Sequence, residues 1–179
     1  SGDEHKIAVT VTGATGYQIE YATHASGPFT ADNPSFKNVA DSGTVYYRVT
    51  HPTEATVQGS TTVTISKCNI SIKANDVRIQ YLGAYRLQAQ VTGVPALGDK
   101  PVYTLSVTGE DVGTYPIIVS LGDNPNYAIT KTDGALVISP LRVSVILPNL
   151  EKNAGEADPV YGEYLSATPR IPEGDLEYI

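Results

Sequence analysis

The chain has no methionine or tryptophan, one cysteine, two phenylalanines and three histidines in 179 residues. Each scarcity removes a class of answer. A single cysteine, Cys68, excludes an internal disulfide, and its place in the β-rich run 65–70 reads as a small, half-buried apolar residue. His5, His24 and His51 have no cysteine or carboxylate at ligand spacing, so no metal centre is read from them. No run of 18 apolar residues occurs, which excludes a membrane-spanning helix. Twelve Lys and Arg face nineteen Asp and Glu with no basic stripe, which argues against nucleic acid as a partner. There is no Gly-x-Ser-x-Gly elbow, phosphate loop or Cys/His pair. Glu110-Asp111 and Glu156/Asp158 are acid clusters without an evident opposing cleft, so they do not read as a glycosidase pair. Asp123-Asn124 and Glu156-Ala157-Asp158 read as turns in preference to calcium ligands. The expectation is a chain with no catalytic residue, no cofactor and no metal.

What is present favours strands. Gly and Pro number 16 and 12, which suits many turns, and Val, Ile, Thr and Tyr dominate the rest. Alternating apolar residues predict strands at Ile7/Val9/Val11, Tyr17/Ile19/Tyr21, residues 44–50, Val57 and residues 61–65. The series continues at Ile70/Ile72, Val77/Ile79/Tyr81, Leu87/Ala89/Val91, Tyr103/Leu105/Val107, residues 115–119, Tyr127/Ile129 and Leu136/Ile138. No window shows a 3.6-residue period with caps.

Two stretches echo one another. Asp41-Ser42-Gly43-Thr44 and Asp111-Val112-Gly113-Thr114 open runs in which Val45, Tyr47 and Val49 align with Tyr115, Ile117 and Val119. Side chains two apart share a strand face, so each triplet forms one apolar row. The endings also match: Gly59-Ser60-Thr61-Thr62-Val63 answers Gly134-Ala135-Leu136-Val137-Ile138. After each ending the chain resumes alike, with Asn69-Ile70-Ser71-Ile72 and Arg142-Val143-Ser144-Val145. This is an internal repeat. It divides the chain into modules at 1–66 and 67–139, with a partial third at 140–179, and the junctions leave little room for flexible linkers. Charge supports the last division, since residues 149–179 hold seven acids against two bases. Ser1-Gly2 reads as a cloning remnant, with signal and anchor expected elsewhere in a longer chain.

Asp111-x-Gly113-x-Tyr115 resembles the tyrosine corner of immunoglobulin-like sandwiches. A wider resemblance covers the second module. Tyr81-Leu82-Gly83, Val91-Thr92-Gly93-Val94, residues 103–109, Gly113-Thr114-Tyr115, Asn124-Pro125-Asn126-Tyr127 and residues 133–138 resemble the MBG and YDG repeats of large bacterial surface proteins. Lys152-Asn153-Ala154-Gly155-Glu156-Ala157-Asp158-Pro159 is similar to the opening of another such repeat, with Ala154-Gly155 where the family usually has Tyr-Gly. The first module resembles the immunoglobulin-like or fibronectin-like modules beside such repeats. The fold expected is all-β, as tandem small sandwiches, with a β-grasp-like alternative for the second module.

The resemblance implies a secreted, cell-wall or cell-surface location and a non-catalytic role as adhesin or stalk spacer. The alternative is a carbohydrate-binding accessory region of a secreted enzyme. Twelve tyrosines against two phenylalanines suit shallow cores, because a tyrosine buries its ring and leaves its hydroxyl wet. The candidate contacts for a host glycan or protein are Tyr46, Tyr85, Tyr161 and Tyr164; neighbouring repeats of the same chain are the other expected partners. Lys67, Lys73 and Lys131 are the lysines considered for an isopeptide crosslink, against a reading as ordinary solvated side chains.

Overall fold

Alternation along each strand becomes a buried row once two sheets face each other. The computed structural model describes residues 2–13, 15–146, 149–158 and 166–168, with side chains left aside at 145 and 166–168. Along the chain run β1 (Gln18–Ala22), a 3-10 turn (Val39–Asp41), β2 (Gly43–Thr50), β3 (Val57–Val63), β4 (Cys68–Ala74), β5 (Val77–Gln80) and β6 (Ala89–Thr92). They are followed by β7 (Tyr103–Ser106), β8 (Gly113–Leu121), β9 (Tyr127–Thr132), β10 (Gly134–Ser139), β11 (Ser144–Ile146) and β12 (Ser166–Thr168). There is no α-helix among the described residues. The fold is all-β and sandwich-like. Candidates Tyr161 and Tyr164 lie outside the described residues.

Two sheets enclose the main core. One has the order β5-β10-β8-β7, the other β6-β4-β9. Ile117 and Val119 of β8, Leu136 and Ile138 of β10, and Ile72 and Ala74 of β4 form its centre, and four of these six are large side chains with no exposed surface. Two pairings are parallel, β5 with β10 and β4 with β9. β8 changes partner along its length, pairing with β10 over Gly113 to Ile117 and with β7 over Ile118 to Leu121. That change of partner accommodates Pro116, which pairs with Ala135 where β7 has not yet begun. Beyond the handover, side chains replace the ladder: Val119 N–H donates to Asp133 Oδ1 at 2.8 Å, and Lys131 Nζ donates to Val119 O at 2.7 Å. Lys131 is therefore a backbone donor here, and among the described residues no carboxamide or carboxylate is bonded to it. Ala135 N–H donates likewise to Asp76 Oδ1.

Residues 18–63 form one antiparallel sheet, β1-β2-β3. The immunoglobulin-like pair of sheets expected there is represented by this single sheet, with an extended segment packed near its inner face. Residues 7–11 alternate between half-buried and exposed as expected, yet they form no strand, since no strand among the described residues pairs with them. They are held at single points, by a bridge between His5 and Phe36 and by Asn33 Nδ2 donating to Ile7 O at 2.7 Å. On the outer face Glu20 and Arg48 pair across β1 and β2, both guanidinium donors reaching Glu20 Oε2, and the Arg48 Cζ stands 4.7 Å from the Phe29 ring centre. Val57 and residues 61–63 belong to one strand, since β3 runs unbroken across Gly59 beneath the Tyr47 ring.

The repeat read from the sequence is a repeat of register. Gly43 stands opposite Val63 and Tyr47 opposite Gly59; Gly113 stands opposite Ile138 and Ile117 opposite Gly134. The aligned residues of β2 and β8 thus meet the aligned residues of β3 and β10. The inward triplets share a face but not full burial: Val49 and Val119 are buried alike, whereas buried Val45 aligns with half-buried Tyr115 and buried Ile117 with half-buried Tyr47. A second correspondence lies further on. Ser71 of β4 faces Thr92 of β6, and Ser144 of β11 faces Thr168 of β12. The Tyr115 hydroxyl makes no hydrogen bond among the described residues, and its ring lies over Gly109 and Gly113, so the tyrosine-corner resemblance does not extend to the corner bond.

The fully buried Ile117 carries the first prediction. Ile117→Ala should lower stability by about 2–5 kcal/mol, because its site is closed by both sheets and collapses poorly. A fall in the urea midpoint with unchanged slope is the expected result.

Candidate functional site

The four residues Asn124-Pro125-Asn126-Tyr127 lead into β9 and do three separate things. Asn124 clamps the start of β7: its Oδ1 accepts from Val102 N–H at 2.7 Å, and its Nδ2 donates to Val102 O and Gly122 O. Its amide is thus engaged by backbone, which accounts for it as a turn residue. Tyr127 is buried and its hydroxyl donates to Asp99 O at 2.6 Å, tying β9 to the loop that precedes β7. Burial pushes the Tyr127 phenol upward, and the charges of Asp99 and Cys68 beside it add to the effect.

Asn126 reaches between the first sheet and the two facing sheets. Its Oδ1 accepts from Val39 N–H at 3.0 Å, at the first residue of the 3-10 turn. Its Nδ2 donates to Asn38 Oδ1 at 2.9 Å and to Asp99 Oδ2 at 3.0 Å. Its backbone carbonyl accepts from Cys68 N–H, where β4 begins. One asparagine therefore joins its own loop to three other segments, at Asn38–Val39, Cys68 and Asp99, the first of them 87 and 88 residues away in sequence. The receiving turn is itself preorganised. Asp41 Oδ2 accepts from the N–H groups of Asn38 at 2.7 Å and Lys37 at 3.0 Å, and those bonds hold its carboxyl below the usual range.

Nearby, Ser42 Oγ accepts from Ile65 N–H at 2.8 Å, so β2's approach and β3's exit are also stitched. A cavity of about 40 Å³ lies at this junction, lined by Lys37, Val39, Cys68, Asp99, Asn126 and Tyr127 among others. That volume suits a water molecule and nothing larger than a few atoms. The chemistry available here is fastening: amides, the Asp99 carboxylate, one phenol and backbone groups fix two parts of the chain in one orientation.

The tyrosines named as contact candidates lie apart from this junction. Tyr85 is 43% exposed on the loop after β5 and lines a shallow groove with Tyr81, Leu82, Gly109 and Glu110. Leu82 in that groove is 57% exposed and has a φ of 67°, the one left-handed backbone outside glycine among the described residues. Tyr46 is half-buried on the outer face of the first sheet, opposite Ala22 and Ser60, and does not line that groove. Near the end of the described chain, Glu156 accepts from both the N–H and Nδ2 of Asn153, which holds its carboxyl below the usual range, while Asp158 pairs with Lys152. Those oxygens are engaged by protein donors within one turn.

Sequence reasoning picked out the Asn-Pro-Asn-Tyr motif but not the bonds of Asn126. The signal available was two asparagines flanking a proline, a pattern that supplies amide donors and acceptors on a rigid loop.

Replacing Asn126 with Ala should leave both sheets intact and cost roughly 1–3 kcal/mol through unpaired Val39 N–H and Asp99 groups. Small-angle scattering or residual dipolar couplings should report a broader range of relative orientations. The raised phenol of Tyr127 gives a pH dependence. The neutral form is favoured in the fold, so its contribution is complete below the unfolded value of 10.0 and is lost as pH rises past it. Urea midpoints should fall as pH rises above about 10, and Tyr127→Phe should flatten part of that fall.

Comparison with known families gives one match. The profile of the MBG domain (YGX type) covers residues 70–137, from within β4 to within β10. Neither the curated proteins nor the solved structures compared with this chain gave a match.

Proposed function

We propose that this chain, similar over residues 70–137 to the MBG domain of YGX type, is a non-catalytic run of β modules from a bacterial surface protein that acts as a stalk or adhesin spacer. The modules are 1–66, 67–139 and a third that starts at 140. The observation that carries the reading is the repetition of register, in which β2 and β3 correspond to β8 and β10, and β4 and β6 to β11 and β12. Repeated modules joined end to end hold what they carry at a set distance. The junction supports this role. Only residues 64–67 separate β3 from β4; Asn126 ties the second module to Val39 of the first, and Ser42 holds Ile65 where the gap begins. A secreted, wall-associated setting follows from the same family resemblance.

A spacer of this kind also offers surface for contact. Tyr85 with Tyr81 and Glu110 presents aromatic faces beside an acid, a combination suited to a sugar, and Tyr46, Tyr161 and Tyr164 are the further candidates for a glycan or protein partner. The same groove favours the second reading, a carbohydrate-binding accessory region of a secreted enzyme.

A rigid spacer predicts a pair distance, measured between spin labels placed on β1 and β7, that is narrow and barely broadens from low to high salt. A broad distribution in the unmodified chain would refute the spacer reading. In a screen of hydrolase substrates no turnover is expected; turnover abolished by substituting Glu110 or Asp111 would overturn the non-catalytic assignment. On a glycan array, binding lost in Tyr85→Ala would move the chain from spacer to binder.

A further inference from the structure

β3 is an edge strand with nothing paired to its outer side among the described residues. Its sequence, Val57-Gln58-Gly59-Ser60-Thr61-Thr62-Val63, contains no charge and no proline. Edge strands are ordinarily blunted by brevity, lysine, proline or inward charges. The other edges of the large sheets follow that rule: β5, β6 and β7 have four residues each, β5 also carries Arg78, β9 carries Lys131 and β1 carries Glu20. β3 is the longest of these edges and has none of those devices.

The counterpart of β3 shows what such an edge accepts. Register makes β10 that counterpart, with Gly134, Leu136 and Ile138 answering Gly59, Thr61 and Val63. On its side away from β8, β10 carries β5 in parallel, Val77 beside Leu136 and Ile79 beside Ile138. Nothing occupies the equivalent place on β3 among the described residues. At the other end of β3 the inner face is open too: Val57 is 57% exposed, and a groove of about 510 Å³ lies between residues 9–12 and Tyr47, Val49 and Val57.

We propose that the outer edge of β3 is a binding site for an extended polypeptide segment that adds to the first sheet as a parallel strand, with apolar residues at alternate positions beside Thr61 and Val63. Main-chain bonds supply the attraction and the alternate side chains supply register, as in strand addition generally. The inference rests on the register correspondence and stands apart from the spacer role.

The test uses the whole chain, isotope-labelled, and a synthetic peptide with the sequence of residues 76–81, Asp-Val-Arg-Ile-Gln-Tyr. At saturating peptide, amide exchange in β3 should slow by roughly tenfold, and a scrambled peptide without alternation should have no effect. A spin label at the peptide's amino end should broaden Gly59 and Ser60 more than Val63, as parallel pairing requires. Thr61→Lys places a charge on the inner row and should abolish the effect, whereas Thr62→Lys, on the opposite face, should retain it. Unchanged exchange in β3, or changes confined to β10 as the peptide displaces β5, would overturn the proposal. Broadening strongest at Val63, or β3 protection that appears without peptide and grows with protein concentration, would overturn it too, the latter by making a second copy the occupant.

Discussion

Ile117 and Val119 of β8 lie against Ile72 of β4, and the remaining architecture depends on that contact between sheets. Once it forms, β10 must supply Leu136 and Ile138 to complete the dry layer, and β9 must lie beside β4 to close the other sheet. The loop entering β9 then brings Asn126 to the junction, and the position of the first sheet relative to the rest follows from where that side chain finds its partners. A small all-β chain has little apolar surface to bury, so one well-closed layer carries a large share of the stability.

The polar side chains serve the same end. Asp76, Asp133 and Lys131 answer backbone groups where ladders stop, and Asn124 does so at the start of β7. A buried or half-buried backbone group without a partner costs about 1–3 kcal/mol, so each of these side chains extends the sheet by one step beyond its strands. Glu156 and Asp158, weighed in the sequence for catalysis or calcium, are likewise engaged, by Asn153 and Lys152. Their oxygens accept from N–H groups, and a carboxylate so engaged is poorly placed to bind a cation or move a proton.

Much of the strand pattern was legible beforehand. The alternation at Tyr17/Ile19/Tyr21, Ile70/Ile72 and Leu136/Ile138 appears as β1, β4 and β10 because period-two burial is a local signal. The Gly-Thr echo was legible to the level of register, because opposite residues in two copies must keep the same face inward. Residues 7–11 show where such reading stops. Their alternation is real, yet a strand needs a neighbour, and the neighbour is decided elsewhere in the chain. The same limit hid the turn of Tyr115 over Gly109 and the partners of Asn126. Tyr46 and Tyr85 were named from residue type alone, and exposure separates them: one is half-buried on a sheet face, the other open in a groove.

By itself the sequence determined the class of fold, the strand faces and the equivalence of the repeated strands, since these depend on spacings of two residues and on matched turns. Only the tertiary structure decided which strands run parallel, which edge stays bare and how the first sheet is fastened to the rest. Those depend on pairings between residues far apart in the chain, as between Asn126 and Val39, where no local spacing records the choice.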